Sequence, residues 1–260
     1  FTGVDHKVGN FSGKNIFKKN INDKNISKLI KKNSTIIHLA AVSNVKDCEN
    51  NPIDTLKSNI SGTINILNQS IKKKANHFIF ASTEWVYPDK KNEFKENYKI
   101  KIDELDNNYS LSKLIGEEII QHFKSKIKIT ILRFGIIYSD RKTGGSAVES
   151  IVNNVKNTNK IKIGSKKTSR RFIHIDDIIN GILTCNKKKI PGIFNLSGNK
   201  DVNLEKIINI SCKLLNKKIK VYNPINSKPS IRKVSNSKSK KILGWYPKIT
   251  IKDGIKRILE

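Results

Sequence analysis

The hydrophobic positions of this chain fall into short, regularly recurring runs. Residues 34–39, 77–81 and 128–133 are compact stretches rich in β-branched and aromatic side chains, the pattern of strands buried in a parallel sheet. Residues 1–5 read as a shorter buried strand that closes on an acid, Asp5. Residues 54–72 and 114–123 carry apolar side chains at helical spacing, and 26–30 repeats that spacing over a shorter helix. Residues 88–108 are polar and rich in turn formers, which predicts a loop over a site. Ser82 and Thr83 stand at the carboxyl end of the 77–81 strand, where open α/β sheets hold their ligands.

Composition narrows the classes. A chain of 260 residues with 37% hydrophobic positions can bury a sizeable core, as one large domain or a domain with a cap. The three cysteines, Cys48, Cys185 and Cys212, are odd in number and far apart, which argues for a reducing, cytoplasmic setting and against a disulfide framework or structural zinc. No apolar stretch approaches the ~20 residues of a membrane span. The formal charge of +29 invites a nucleic-acid reading. Its Lys residues are interleaved with Asn and Ile throughout, without Arg clusters, aromatic platforms or a basic tail, and so read better as compositional bias with no specific nucleic-acid partner.

The candidate chemistry centres on Tyr109 and Lys113, four residues apart and therefore on one helix face. A phenol is a poor base near neutrality, and a fixed cation favours the phenolate. A Thr83 hydroxyl would complete a proton-handling group around an alcohol. By itself the spacing equally describes an aromatic ring packed on an aliphatic stem.

Surrounding motifs decide between these. The chain carries, in order, His38-Leu39-Ala40-Ala41, Asn59-x-x-Gly62-Thr63-x-Asn65, Ala81-Ser82-Thr83-x-x-Val86-Tyr87, Tyr109-x-x-x-Lys113 and Leu132-Arg133-Phe134-Gly135. Arg170-x-Phe172-Ile173-His174-Ile175-Asp176-Asp177, Phe194-Asn195-Leu196-x-Gly198 and Leu243-Gly244-Trp245-x-Pro247 follow. This series resembles the extended short-chain dehydrogenase/reductases, and within them the NAD-dependent sugar-nucleotide epimerase/dehydratase family typified by UDP-glucose 4-epimerase. The family begins with a strand, a glycine-rich turn and a helix, whereas this chain opens on what looks like the second strand and contains no Met. The resemblance therefore implies a doubly wound parallel, Rossmann-like α/β sheet truncated by about 30 residues at its N-terminus, with a smaller C-terminal substrate cap. It implies a cofactor domain over 1–138 and a cap over 139–260, with 172–198 returning to the main sheet.

It also implies NAD as cofactor and a nucleotide-diphospho-sugar as substrate, with Thr83, Tyr109 and Lys113 catalytic. Asp5 would hold the adenosine ribose and favour NAD over its 2′-phosphorylated form, and Asn20 and Ile21 would lie at the adenine. Leu39, Ala40, Ala41, Asn59, Ala81, Ser82 and Phe134 would complete the cofactor site together with Tyr109 and Lys113. Ser43, Glu84, Arg170 and Arg232 are the implied substrate contacts, the two arginines at the diphosphate. No metal is implied: Asp176 and Asp177 read as caps on exposed helix amides. His38 reads as structural. The family's closing helix, turn and helix fall over 237–245 and 249–259, and homodimers through two long helices are common among its members.

Three departures bear on activity. Sugar 4,6-dehydratases of this family follow the Thr with Asp-Glu, whereas Glu84-Trp85 stand here, and Trp85 cannot act as acid or base. Ile136 replaces a frequent sugar-nucleotide-binding Asn, and Arg171 replaces a usual Asp, adding charge with no evident purpose. Epimerisation is the leading expectation. A reductase or decarboxylase on the same scaffold, and a non-catalytic relic that has lost NAD binding, are its alternatives.

Overall fold

Strands and helices succeed one another because the apolar pattern changes period, and polar caps mark several of the changes. The computed structural model describes residues 1–7, 16–141, 145–223 and 227–260; the expected cap also takes in 142–144 and 224–226, which lie outside the described residues. In chain order the elements begin β1 (Gly3–Asp5), β2 (Ile16–Lys18), β3 (Thr35–His38), α1 (Val45–Asn50), α2 (Pro52–Leu56), α3 (Gly62–Lys72), β4 (His77–Thr83), β5 (Glu93–Phe94), α4 (Asn108–His122), β6 (Lys128–Phe134) and β7 (Ile137–Tyr138). They continue with α5 (Ala147–Asn157), β8 (Lys160–Lys162), β9 (Ser169–Arg170), β10 (Ile173–His174), α6 (Ile175–Lys188), β11 (Gly192–Leu196), β12 (Val202–Asn203), α7 (Leu204–Leu214), β13 (Lys220–Tyr222), β14 (Lys233–Val234) and α8 (Ile251–Leu259). Two compact units result: one of residues 1–86, 100–132 and 185–193, the other of 87–99, 133–184 and 194–260.

The first unit is built on an α/β sheet of strand order β11-β6-β4-β3, in which β3 and β4 run parallel. The strands β1 and β2 form a separate parallel pair. Every residue of β4 is buried, as expected of a strand with neighbours on both sides. The pattern at 34–39 predicts the same for β3, yet among the described residues β3 is an edge strand: only its His38 is buried, and Ile37 is 40% exposed. β-branched composition reports a strand, while its place in the sheet depends on distant partners. Phe78, Phe80, Leu67, Ile120, Ile129 and Ile131 pack in the core of this unit. Gly116 lets α4 close on the sheet, since a Cβ there would stand 2.9 Å from the Phe80 ring.

The stretch expected as one helix over 54–72 is interrupted. One wide π turn, Lys57–Ser61, joins α2 to α3 and carries Asn59. Such turns add a residue to the helix and re-aim its neighbours, and they are frequent at functional sites.

In the second unit α5, α7 and α8 bury Val152, Val155, Ile207, Ile208, Ile255 and Ile258 around Tyr138. Ser146 opens α5 with a reciprocal capping box to Glu149. Arg171, expected as unexplained charge, is structural: it pairs with Glu93 at 2.6 Å and Asp201 at 2.9 Å and donates to Val234 O at 3.1 Å. Asp176 and Asp177 also differ from expectation. The Asp177 carboxylate receives the amides of Lys248 and Ile249, and Asp176 pairs with Arg257 at 2.8 Å. Both reach across to later segments because the chain returns there, which their sequence position at a helix start does not reveal. At the expected helix over 237–245 the chain makes a π turn, Ser239–Leu243, ended by Gly244 at φ 63°. Among the described residues no helix is long and apolar enough to cross a membrane.

Gly254 on α8 meets the buried Tyr138 ring so closely that any Cβ would overlap its hydroxyl end. Alanine there gains about 1 kcal/mol of helix propensity but overpacks a rigid aromatic at a cost of about 1–3 kcal/mol. Gly254→Ala is expected to lower stability by up to about 2 kcal/mol in urea unfolding.

Candidate active site

The site grows from the carboxyl end of β4 and the first turns of α4. Asn107 caps α4 by accepting the amide of Ser110 at 2.8 Å. Glu49 on α1 takes both the amide and the side-chain N–H of Asn108, at 2.8 and 2.9 Å. The helix start is thus clamped one residue before Tyr109.

The Thr83 hydroxyl lies close enough to the Tyr109 phenol to favour its ionised form, and Thr83 Oγ1 accepts the amide of Trp85 at 3.2 Å. Lys113 is buried, and its Nζ donates to Ala81 O at 2.8 Å, stands 4.8 Å from the Phe80 ring centre and 6.0 Å from that of Tyr109. Burial pushes the Tyr109 phenol up to about 12; the Thr83 hydroxyl pulls the other way and loses. Burial also pushes Lys113 down to about 8, against the opposing charge of Glu117. In water a Tyr loses its proton slightly before a Lys, whereas here burial makes the Lys113 ammonium the first of the two to give up its proton. The expectation that Lys113 lowers the Tyr109 pKa is therefore not met in this geometry, because desolvation outweighs a cation 6.0 Å from the ring centre.

Behind the pair runs a buried polar network. Asn59 accepts the amide of Val42 at 2.8 Å and donates to Val42 O at 3.0 Å and to Ser112 Oγ at 2.9 Å. Ser112 Oγ in turn donates to Tyr109 O at 2.8 Å. On the other side Thr63 Oγ1 donates to Asn59 O at 2.6 Å, so His38 Nε2, 2.9 Å from the same oxygen, must be the donor. Asn59 therefore ties the loop after β3 to the helix that carries Tyr109, and His38 is structural. Sequence reasoning missed Ser112 and Glu117. Their positions next to Lys113 and four residues beyond it are the available signal.

The remaining candidates are distributed as follows. Ala81 and Ser82 are buried at the end of β4, with Ser82 Oγ donating to Glu117 at 2.5 Å. Leu39 and Ala40 are exposed and Ala41 half-buried just beyond β3. Asp5 is exposed at the end of β1, accepting the amide of Lys7 and lying 3.2 Å from His6 Nδ1. Asn20 is exposed and Ile21 half-buried, with the Ile21 side chain pressed onto Gly62. Ser43 is exposed, and Glu84 is fully buried in the turn after Thr83. Phe134, half-buried, belongs to the second unit, as do Arg170 and Arg232. Those two arginines are brought together: Arg170 donates to Ser169 O, Ser230 O and the Ser230 hydroxyl, while the Arg232 amide also reaches Ser169 O.

The donor set of the first unit suits a dinucleotide. Lys113 has three N–H donors and gives one to Ala81 O. The residues after β3 are small where a backbone approach is needed, and Asp5 offers an exposed acceptor.

An α/β sheet that presents a Thr, a Tyr and a buried Lys at the end of a central strand has the arrangement of a short-chain dehydrogenase/reductase. The profile of the NAD dependent epimerase/dehydratase family matches residues 2–197, and the chain belongs to that family. It is 30% identical over 231 residues to a UDP-glucuronate 4-epimerase of Thermodesulfobacterium geofontis, covering 86% of this chain and 71% of that protein. It is 29% identical over 248 residues to a putative UDP-glucose 4-epimerase of Methanocaldococcus jannaschii, covering 92% and 81%. The fold matches a Bacillus cereus UDP-glucuronic acid 4-epimerase, solved with UDP-glucuronic acid and NAD, at a TM-score of 0.86 and 24% identity over 98% of this chain and 88% of that one.

Removing the Asn59 amide takes the acceptor from the Val42 N–H and one donor each from Val42 O and the buried Ser112 hydroxyl. Asn59→Ala is expected to cost roughly 3 kcal/mol in urea unfolding. Acid acts on the same unit. Burial lowers His38 to about 3 and His77 to about 4, so the unfolded chain takes up these protons first. Their contribution to stability is complete above about pH 6.5 and is lost as pH falls through about 4 and about 3. The urea midpoint should fall across that window, and more shallowly in His77→Gln.

Proposed function

We propose that this chain is an NAD-dependent epimerase acting on a nucleotide-diphospho-sugar, and that the Thr83–Tyr109–Lys113 constellation at the end of β4 carries its chemistry. The observation that supports this most is the convergence of a Thr hydroxyl, a phenol and a buried ammonium within one strand end and two helical turns. The relatives named as 4-epimerases of UDP-sugars support the substrate class. Trp85, in place of a carboxylate, weighs against dehydration.

In this reading residues 1–138 hold NAD and 139–260 form the substrate cap around the returning 172–198 segment, and the protein works in the cytoplasm. Asp5 would hold the adenosine ribose, Asn20 and Ile21 the adenine, and Lys113 the nicotinamide ribose, beside Leu39, Ala40, Ala41, Ala81, Ser82 and Phe134. Bound NAD would supply reversible hydride acceptance at one sugar carbon. Thr83 orients the sugar hydroxyl, and Tyr109 takes its proton and later returns it, while the Lys113 charge favours the phenolate against the effect of burial. The ketosugar presents its other face before the proton returns. Ser43, Glu84, Arg170 and Arg232 are the proposed substrate contacts, with the guanidinium groups suited to the diphosphate.

Tyr109→Phe should cut turnover of a UDP-sugar by about 10³-fold with the thermal unfolding midpoint unchanged. Products are resolved by chromatography: interconversion of C4 epimers without net redox change is the expected result. Undiminished turnover in Tyr109→Phe would sink the assignment, and a product lacking carbon dioxide or gaining two hydrogens would replace it.

A further inference from the structure

Four residues beyond Lys113, α4 presents a second buried charge. Glu117 is fully buried and accepts from Ser82 Oγ at 2.5 Å. Tyr109, Lys113 and Glu117 are spaced four apart, so they form one stripe along α4. That stripe meets three successive residues of β4: Thr83 lies near enough to Tyr109 to affect its ionisation, Ala81 O accepts from Lys113, and Ser82 donates to Glu117. The proton chemistry uses the first two contacts. The third is expensive for a fold that wanted only packing, because a buried carboxylate needs charge of opposite sign or several donors.

We propose that Glu117 is a positioning residue of this site: its buried carboxylate is the counter-charge that keeps the Lys113 ammonium seated on Ala81 O, and through Ser82 it fixes the strand end that carries Thr83. The inference rests on the reading of Tyr109 and Lys113 as the working pair. The surrounding charges agree with it. Burial pulls Lys113 down, and Glu117 is the strongest group pulling it back, ahead of Cys48 on α1. His38, on β3, feels the Lys113 charge as a push towards its neutral form, and Tyr109 is held neutral by its own burial.

The test is urea unfolding of the full chain at pH 6.5 and pH 9.5 for the wild type, Glu117→Gln, Lys113→Met and the double variant. Gln keeps an acceptor for Ser82 and removes only the charge. In the wild-type background Glu117→Gln should lower the midpoint at pH 6.5, and the loss should disappear at pH 9.5, where Lys113 is neutral. In the Lys113→Met background the same substitution should no longer lower the midpoint at either pH. Equal losses in both backgrounds, or a loss that ignores pH, overturn the proposal. If Glu117→Gln does not fold, the double variant must fold, and its failure overturns the proposal as well. Coupling in a wild type that binds no NAD by calorimetry upholds the role of Glu117 and removes the epimerase reading alone.

Discussion

A single side-chain amide, that of Asn59, fixes the geometry on which the site depends. It sits on a π turn between α2 and α3 and reaches the backbone of Val42 on one side and Ser112 on the other. A regular helix would aim this side chain about 100° elsewhere for each residue of misregister, so the extra residue of the wide turn and the three hydrogen bonds require each other. Through Ser112 the constraint passes to the Tyr109 carbonyl, and through Thr63 to His38 on the edge strand. Two elements distant in sequence thereby hold one register, and the reactive side chains inherit it.

Burial sets the resting chemistry of the pair. Tyr109 and Lys113 lie where water is scarce, and desolvation favours the neutral form of each. Their charged forms need charges brought by neighbours or by bound molecules.

Much of this was legible in the sequence where the signal is local. The Tyr109-to-Lys113 spacing, the 77–81 run and the Asn59 motif each specify their own backbone, and the structure places Lys113 on Ala81 O at the end of the 77–81 strand. What stayed hidden depends on remote partners. Neither the edge position of β3 nor the Ala81 carbonyl under Lys113 leaves a mark on nearby residues. Arg171 looked like surplus charge because Glu93 and Asp201 stand far along the chain on either side of it. The direction of the Tyr109 pKa shift was misread for a related reason: sequence displays charge, whereas desolvation is a property of the assembled interior.

The Asn-rich composition that blurs the function also serves the fold. Asn44, Asn107 and Asn203 each stand at the N-cap of a helix and accept a backbone amide from its first turn. Asn is among the strongest residues at that position, so a composition rich in Asn also supplies helix start signals. Mutational tolerance is then uneven in a definite way. Exchange between Asn and Lys is silent on most of the surface, while at these three positions it removes an acceptor that a cation cannot replace.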